Sequence, residues 1–475
     1  MSFATHFIRS LAVLMVVLSG FPGIGSAARP DVLFIVIDDL NDWIRLLDED
    51  APIRTPNLER LAARGVLFKR AYSASPACNP SRVAVLTGLR PSTTGVYGNK
   101  TDWRRALPDA VTLPRHFMNH GYRVEGAGKL FHHHDAGAFH DADSFHQFQS
   151  MPDPPDAPMP AVKLNRLKWY GSPNTDWGPW PRRETEHVDV RTVNFCVERL
   201  KAERDRPLFL ACGIFRPHMP FFAPEAWFDA YPLEGLTLPE LKEGDTDDIP
   251  SGGQALLKRK AWFWRGMLRA EEETPGAWRE AVRAYQACAG FADAQVGRLL
   301  DALDDSGRAA STVIVLWSDH GYHLGEKTHW EKFALWEKAT HVPFLIAAPG
   351  VAAPGSVCES PVDLMAVYPT LIELCGLTSK PELDGVSLVP LLRKPDMNWP
   401  HPALMTYLRD NHAVRTTRWR YIRYADGSEE LYDHAADPNE WSNLASDPGR
   451  TAIKARLRQW LPKDSAPPAP DLKRR

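Results

Sequence analysis

Six consecutive apolar residues, Val32-Leu33-Phe34-Ile35-Val36-Ile37, follow Asp31 with no polar interruption. A strand with one face in water alternates polar and apolar side chains. A β-branched run without alternation is a strand buried on both faces. Two-sided burial requires layers above and below the sheet, the arrangement of α/β folds. Thr312-Val313-Ile314-Val315-Leu316-Trp317, Leu208 to Cys212 and Phe344 to Ala347 carry the same pattern. Between them, about Ala277 to Leu303 reads as a long helix. Its Val282, Tyr285, Ala289, Ala292, Val296, Leu299 and Leu303 alternate steps of three and four, one apolar face. Thr55-Pro56 supplies an N-cap and first-turn proline for a helix through Leu58, Leu61 and Ala62, with Gly65 as its stop. The expectation is an α/β fold with a large, mainly parallel central sheet flanked by helices.

The ends and the middle read differently. Arg9, the apolar run Leu11 to Leu18 and the small residues Gly25-Ser26-Ala27-Ala28 make residues 1–28 a secretory leader. That run is far below the roughly 20 apolar residues of a spanning helix, and no later stretch reaches that length. The expected location is periplasmic or extracellular, with no membrane span in the mature chain. From about Met151 to Pro181 the sequence turns to Pro, Trp, Asp and Asn without period and is expected to form long surface loops. Past about Gly376, Thr417 to Tyr424 and Glu430 to Tyr432 read as strands joined by the turn pair Asp426-Gly427. A main domain over 29–375 and a C-terminal subdomain over 376–475 with an antiparallel sheet follow. The Pro-rich tail after Leu461 is expected to fray.

With 56 Lys and Arg against 59 Asp and Glu, the chain lacks the basic excess of a nucleic-acid binder. Six cysteines in 475 residues are too sparse for a disulfide scaffold. At most two bridges are expected, with Cys212 and Cys288 as core thiols.

Chemistry concentrates at strand ends. Asp38-Asp39 closes the first strand and Asp319-His320-Gly321 follows the strand ending at Trp317. In open α/β sheets ligands bind beyond the carboxyl ends of strands. Three converging carboxylates form an oxygen-rich site suited to a hard cation such as Ca²⁺ or Mg²⁺. Cys78-Asn79-Pro80-Ser81-Arg82, running on to Leu86-Thr87-Gly88, sets Cys78 at a helix N-terminus, where amides and the dipole favour an anion.

That string resembles the C-x-P-S-R…L-T-G signature of type I sulfatases, whose cysteine is oxidised to formylglycine. Asp38-Asp39 and Asp319-His320-Gly321 also match that family, and the likeness runs from about Asp31 to Leu444. Gly128-Lys129-Leu130-Phe131-His132, Arg216-Pro217-His218-Met219-Pro220-Phe221 and the segment Leu324 to Pro343 around Lys332 resemble iduronate-2-sulfatases and their bacterial relatives. The resemblance implies an alkaline-phosphatase-like fold, a catalytic domain over 29–375, and a formylglycine at Cys78 made by a formylglycine-generating maturation enzyme. It also implies one Ca²⁺ held by Asp38, Asp39, Cys78 and Asp319, with His320 as a further contact.

In the implied mechanism Arg82 holds the modified residue and the carboxylates, while Lys129 and Lys332 clamp sulfate oxygens. His218 is the acid for the leaving alcohol and His132 the base, with His133 and His134 as alternatives. Lys338 is the alternative to Lys332, but its spacing to Thr340-His341 favours Lys332. A zinc site in the histidine tract lacks a cysteine at ligand spacing. The implied substrate is a sulfated oligo- or polysaccharide, in the narrower reading a 2-O-sulfated uronic acid of a glycosaminoglycan or algal polysaccharide. Lys163, Arg166, Lys168, Arg182 and Arg183 are expected to meet its carboxylate, and nearby tryptophans to stack on sugar rings. Phosphonate or phosphate monoester hydrolysis, and a catalytically silent carbohydrate-binding protein, are the competing functions. One sequon, Asn99-Lys100-Thr101, leans towards a bacterial periplasmic origin.

Overall fold

In the computed structural model, residues 29–132, 139–152, 154–167, 169–171 and 174–472 are described. The leader, His133, His134 and Lys168 lie outside them. The apolar run after Asp31 becomes β1 (Asp31–Asp38), the centre of an eight-stranded sheet. The other strands of this sheet are β2 (Val66–Phe68), β3 (Arg123–Gly128), β4 (Gln147–Gln149), β5 (Leu208–Pro217), β6 (Thr312–Ser318), β7 (Phe344–Ala347) and β8 (Ser356–Cys358), in the spatial order β8-β2-β7-β6-β1-β5-β3-β4. Only β7 runs against the rest, pairing antiparallel with β6 and β2. The sheet is thus mainly parallel, as the unalternating runs require.

Alternation along β1 is between two cores. Leu33, Ile35 and Ile37 enter the apolar cluster on one face, and Val32, Phe34 and Val36 the cluster on the other. Each side chain is at most 1% exposed, and burying one contributes roughly 1.5–3 kcal/mol. The first cluster is closed by α1 (Pro56–Ala62), α3 (Val188–Lys201), α4 (Ser251–Glu273) and α5 (Ala277–Asp305), the second by α2 (Cys78–Thr87) and elements that follow β8. A four-stranded antiparallel sheet of β9 (Ala403–Thr406), β10 (His412–Arg415), β11 (Trp419–Arg423) and β12 (Glu429–Asp433) stands apart, with Gly427 at φ 85° in the β11–β12 turn. No helix among the described residues is long and apolar enough to cross a membrane. All six cysteines are buried free thiols.

Four details depart from the sequence expectations. Thr55 makes no side-chain cap on α1; the Asp293 carboxylate on α5 accepts the amides of Asn57 and Leu58 instead, at 3.1 and 2.9 Å. The 23-residue helix α4 was not expected at all. The Met151 to Pro181 segment is not merely surface loop. Asp176 accepts amide hydrogens from Leu164, Asn165 and Trp177, a knot that carries Leu167, Tyr170 and Trp177 into the core. The tail does not fray: the Ala466, Ala469 and Leu472 amides donate to the carbonyls of Ser92, Gly95 and Lys100 at 2.8–2.9 Å. Gly95 lets the tail approach, since a Cβ there would sit 2.2 Å from the Pro467 carbonyl oxygen.

Candidate active site

Strand ends bring the polar residues together. Asp38 and Asp39 close β1, Asp319 and His320 follow β6, Lys129 follows β3 and His218 follows β5. The ends of β3 and β5 approach closely because Gly128 and Gly213 lack side chains; a Cβ on Gly128 would lie 2.0 Å from the Gly213 carbonyl oxygen. Cys78 is the first residue of α2, and Arg82 lies one turn on, on the same face. Asn99, from the sequon, uses its side-chain oxygen to accept the Asn79 amide at 3.1 Å and so helps seat the start of α2.

Arg82 is the organiser. It is fully buried, with Nε 2.8 Å from Asp319 Oδ2, one terminal nitrogen 3.0 Å from Asp38 Oδ1, and the other on the carbonyls of Lys129 and Leu130. Lys129 Nζ ion-pairs with Asp38 Oδ2 at 2.5 Å, and Lys332 Nζ with both oxygens of Asp39. Lys338 instead holds Asp42 at 3.1 Å, so of the two lysines only Lys332 reaches the paired aspartates. His320 Nε2 is 3.2 Å from Cys78 Sγ, 3.4 Å from Asp39 Oδ1 and 3.5 Å from Asp319 Oδ2.

The charges shift one another strongly. Burial disfavours the Cys78 thiolate, yet Lys129, Lys332 and His320, with a hydrogen bond from His132, hold the thiol well below its ordinary value. Burial also opposes a charged Asp38, but Lys129 and Arg82 outweigh it and keep the carboxyl far down. Burial is countered again at His320, which Asp319, Cys78 and Asp39 raise to about 9. Asp319 goes the other way. Burial, reinforced by Asp38 and Cys78, pushes its carboxyl up to about 7 against the pull of Arg82 and His320.

Asp38, Asp39, Cys78 and His320 each offer one donor atom, all within 4.8 Å of one another and fully buried. Asp319, expected among the ligands, is not in that group. Its Oδ1 accepts the amides of Asp39 and His320, both at 3.1 Å, and its Oδ2 serves Arg82. The donor set fits a divalent cation. Two carboxylates are hard ligands, and the crowding with Asp38 and Cys78 that pushes the Asp319 carboxyl up is what added positive charge relieves.

A cavity of about 290 Å³ lies against this cluster, near the lower limit of roughly 300 Å³ for small-molecule sites. Lys129, His132 and His218 line it, with Phe139, Phe215 and Phe263 as apolar walls. His218 stacks near Phe215 and sets Nδ1 2.5 Å from the Met219 carbonyl oxygen. Lys163, Arg166, Arg182 and Arg183 are absent from the lining. Lys163 donates to the Tyr170 carbonyl, while the other three are exposed. Trp177 is buried in the core, not offered to a ligand. Several lining residues carried no sequence signal, among them Phe139, Phe215 and Phe263. Phe263 sits on the unexpected helix α4, and Glu331 had only its place beside Lys332 to signal it.

The Sulfatase family profile matches residues 30–377, nearly three quarters of the sequence and every residue of this cluster. The chain belongs to the sulfatase family. It is a sulfuric ester hydrolase, and the family generally works with a formylglycine and a divalent metal. A second profile, N-sulphoglucosamine sulphohydrolase, C-terminal, matches residues 325–466. Among curated sulfatases, one from Formosa agariphila is 41% identical over 92% of this chain and 87% of its own. A choline-sulfatase of Rhizobium meliloti is 30% identical over 91% and 85%, and human iduronate 2-sulfatase 30% over 74% and 70%. A phosphonate monoester hydrolase from Silicibacter pomeroyi shares the fold at TM-score 0.75 and 23% identity, covering 91% of this chain and 94% of its own.

Proposed function

We propose that this sulfatase removes sulfate from a carbohydrate at the site built around Cys78, converted to formylglycine by a maturation enzyme, with one Ca²⁺ held by Asp38, Asp39 and residue 78. The observation that carries this reading is the convergence of Arg82, Lys129 and Lys332 with two buried aspartates on a cysteine at a helix N-terminus. Asp319 and His320 complete the shell, Asp319 by fixing Arg82 and His320 beside residue 78. When present, the hydrated aldehyde supplies the nucleophilic hydroxyl, and the cation acidifies it and draws charge from the sulfate.

The chain's own residues do the rest. Lys129 and Lys332 are fixed cations in a buried site, placed to neutralise sulfate oxygens as charge builds. Arg82 keeps α2, Asp38 and Asp319 in register, so residue 78 presents one orientation. His218, whose Nδ1–H donates to the Met219 carbonyl, acts as the acid from its imidazolium form, giving the Nε2 proton to the leaving oxygen and becoming the neutral ring. His132, hydrogen-bonded to Cys78, takes the proton at residue 78 that lets sulfate depart.

The narrower reading, a 2-O-sulfated uronic acid, needs a cation for the sugar's carboxylate beyond those that serve the sulfate. None of the four described candidates lines the cavity, so the broader carbohydrate reading is retained. The apolar run of residues 11–18 and the small residues after it support export.

Mass spectrometry of the Cys78 peptide, with kinetics on matched sulfate and phosphate esters, tests the function. The expected peptide carries the aldehyde, and kcat/KM is far higher for sulfate. An unmodified thiol with activity surviving Cys78→Ala sinks the mechanism. Faster phosphate turnover makes the enzyme a phosphoester hydrolase.

A further inference from the structure

Glu331 belongs to the two-residue strand Trp330–Glu331, paired with His323–Leu324, and its side chain lines the cavity beside the cationic cluster. Its backbone has φ 83°, a left-handed conformation that glycine tolerates and a residue with a side chain adopts only under strain. Lys327, Thr328 and Phe333 share that sign of φ, so strain is concentrated in the segment that carries Lys332. Glycine would suit the backbone better at 331. What glutamate adds is a carboxylate in the cavity.

That carboxylate has no hydrogen bond or ion pair among the described residues. Of the two lysines whose charge acts on it, Lys332 is paired with Asp39, while Lys260 lies over the Phe333 ring at 4.0 Å, a contact that leaves its charge in place. Phe139, Phe215 and Phe263 supply much of the remaining wall. Burial, offset only in part by Lys332 and Lys260, pushes the Glu331 carboxyl up to about 7. Ionised, this carboxylate gains most from a donor that arrives with the ligand and repels a second anion, both effects strongest above about pH 7.

We propose that Glu331 sets substrate specificity: it accepts a hydrogen bond from a hydroxyl of the sulfated sugar and excludes sugars that present a carboxylate there. This rests on the sulfate-ester reading of the Cys78 site and narrows its substrate to a sugar whose sole anion is the sulfate.

The test is calorimetric binding to full-length, Ca²⁺-loaded Cys78→Ser protein, which lacks the modified nucleophile. The probes are a hexose monosulfate and the hexuronate monosulfate with the same ring and sulfate position. The hexose sulfate is expected to bind at least about tenfold tighter, and Glu331→Gln and Glu331→Gly in that background to cut the ratio about tenfold. The glycine variant suits the left-handed backbone, which guards against a folding failure. Turnover of 4-nitrophenyl sulfate by the matured enzyme is measured in parallel. If that enzyme cleaves the ester but the binding ratio is near one, or unmoved by both variants, Glu331 does not select and the functional reading stands. If matured enzyme cleaves no sulfate ester, the functional reading falls and the Glu331 role with it.

Discussion

Lys332 Nζ donates to both carboxylate oxygens of Asp39, at 2.9 and 2.8 Å, and both residues are buried. The lysine proposed to meet sulfate therefore also neutralises a proposed metal ligand. Lys332→Met should leave Asp39 buried with His320, 3.4 Å away, as its remaining cationic neighbour, a loss of about 3 kcal/mol, the low end for a broken buried pair. A Ca²⁺ ion bound at Asp39, as proposed, would restore positive charge to the same carboxylate. Calorimetric melting should show a wide gap between variant and wild type in chelator, narrowing in excess Ca²⁺. A gap of equal size in both conditions would remove Asp39 from the metal site.

Arg420 ties the small sheet to the segment bearing Lys332. From β11 it donates to the Leu335 carbonyl at 2.7 Å, pairs with Glu440 at 2.6 Å and contacts Glu337, all without solvent exposure of its own. Glu440 in turn accepts the Glu337 amide at 2.9 Å. Arg420→Met leaves Glu337 to Arg415, at 3.1 Å, and Glu440 to His434, at 2.9 Å, so the loss should be about 2–3 kcal/mol, below that of a fully uncompensated buried charge. Arg420→Lys keeps the charge but loses the planar fork that spans three acceptors, so an intermediate loss is expected. Urea unfolding gives the stability, and turnover per folded molecule shows whether Lys332 has shifted. A wild-type urea midpoint for Arg420→Met would dismiss the buttress.

Asp293 gives a pH signature. Burial raises its carboxyl from 3.8 to about 6, against the hydrogen bonds from Leu58 and Asn57. A carboxyl whose folded value lies above its unfolded one stabilises the fold at low pH, and that contribution disappears as pH rises through the folded value. Asp293→Asn keeps an acceptor for the start of α1 and removes the titration. Relative to this variant, wild type should be most stable near pH 4 and lose its advantage as the pH passes about 6. Urea midpoints across that range decide it; a difference independent of pH would contradict the assignment.

The same residue shows where sequence reading stops. Patterns with a period were legible: the six apolar residues of β1 divide between two cores, and the helix face from Val282 to Leu303 is buried throughout. So were motifs whose residues are neighbours in sequence, such as Cys78 and Arg82 on one turn of α2. Contacts across long separations were not. The acceptor for the α1 amides lies 235 residues from Leu58, and nothing near Thr55 announces it. The docked tail pairs through backbone groups, which every residue but proline carries alike, so its composition misleads. Lys163 and Arg183 have the right charge for a carboxylate, but charge does not say which way a loop folds. Glu331 escaped because its importance lies in a strained backbone and a cavity wall.

His218 offers a test that separates acid catalysis from a structural turn. Its Nδ1 is 2.5 Å from the Met219 carbonyl oxygen, which fixes the ring, and the residue lines the cavity rather than the core. An acid matters in proportion to the basicity of the oxygen it protonates. A sugar alkoxide is a poor leaving group and needs the proton; 4-nitrophenolate departs almost unaided. His218→Gln retains a donor of similar reach but no transferable proton at neutral pH. It should lower kcat/KM on a sugar sulfate by about 100-fold or more, within the usual range for a general acid, and on 4-nitrophenyl sulfate by less than about tenfold. Loss of the alkaline limb, where an essential acid would deprotonate, from the pH–rate profile on the sugar substrate should accompany it. Equal losses on both esters, with the profile unchanged, would make His218 a structural residue and leave the proton donor to be sought elsewhere along the cavity.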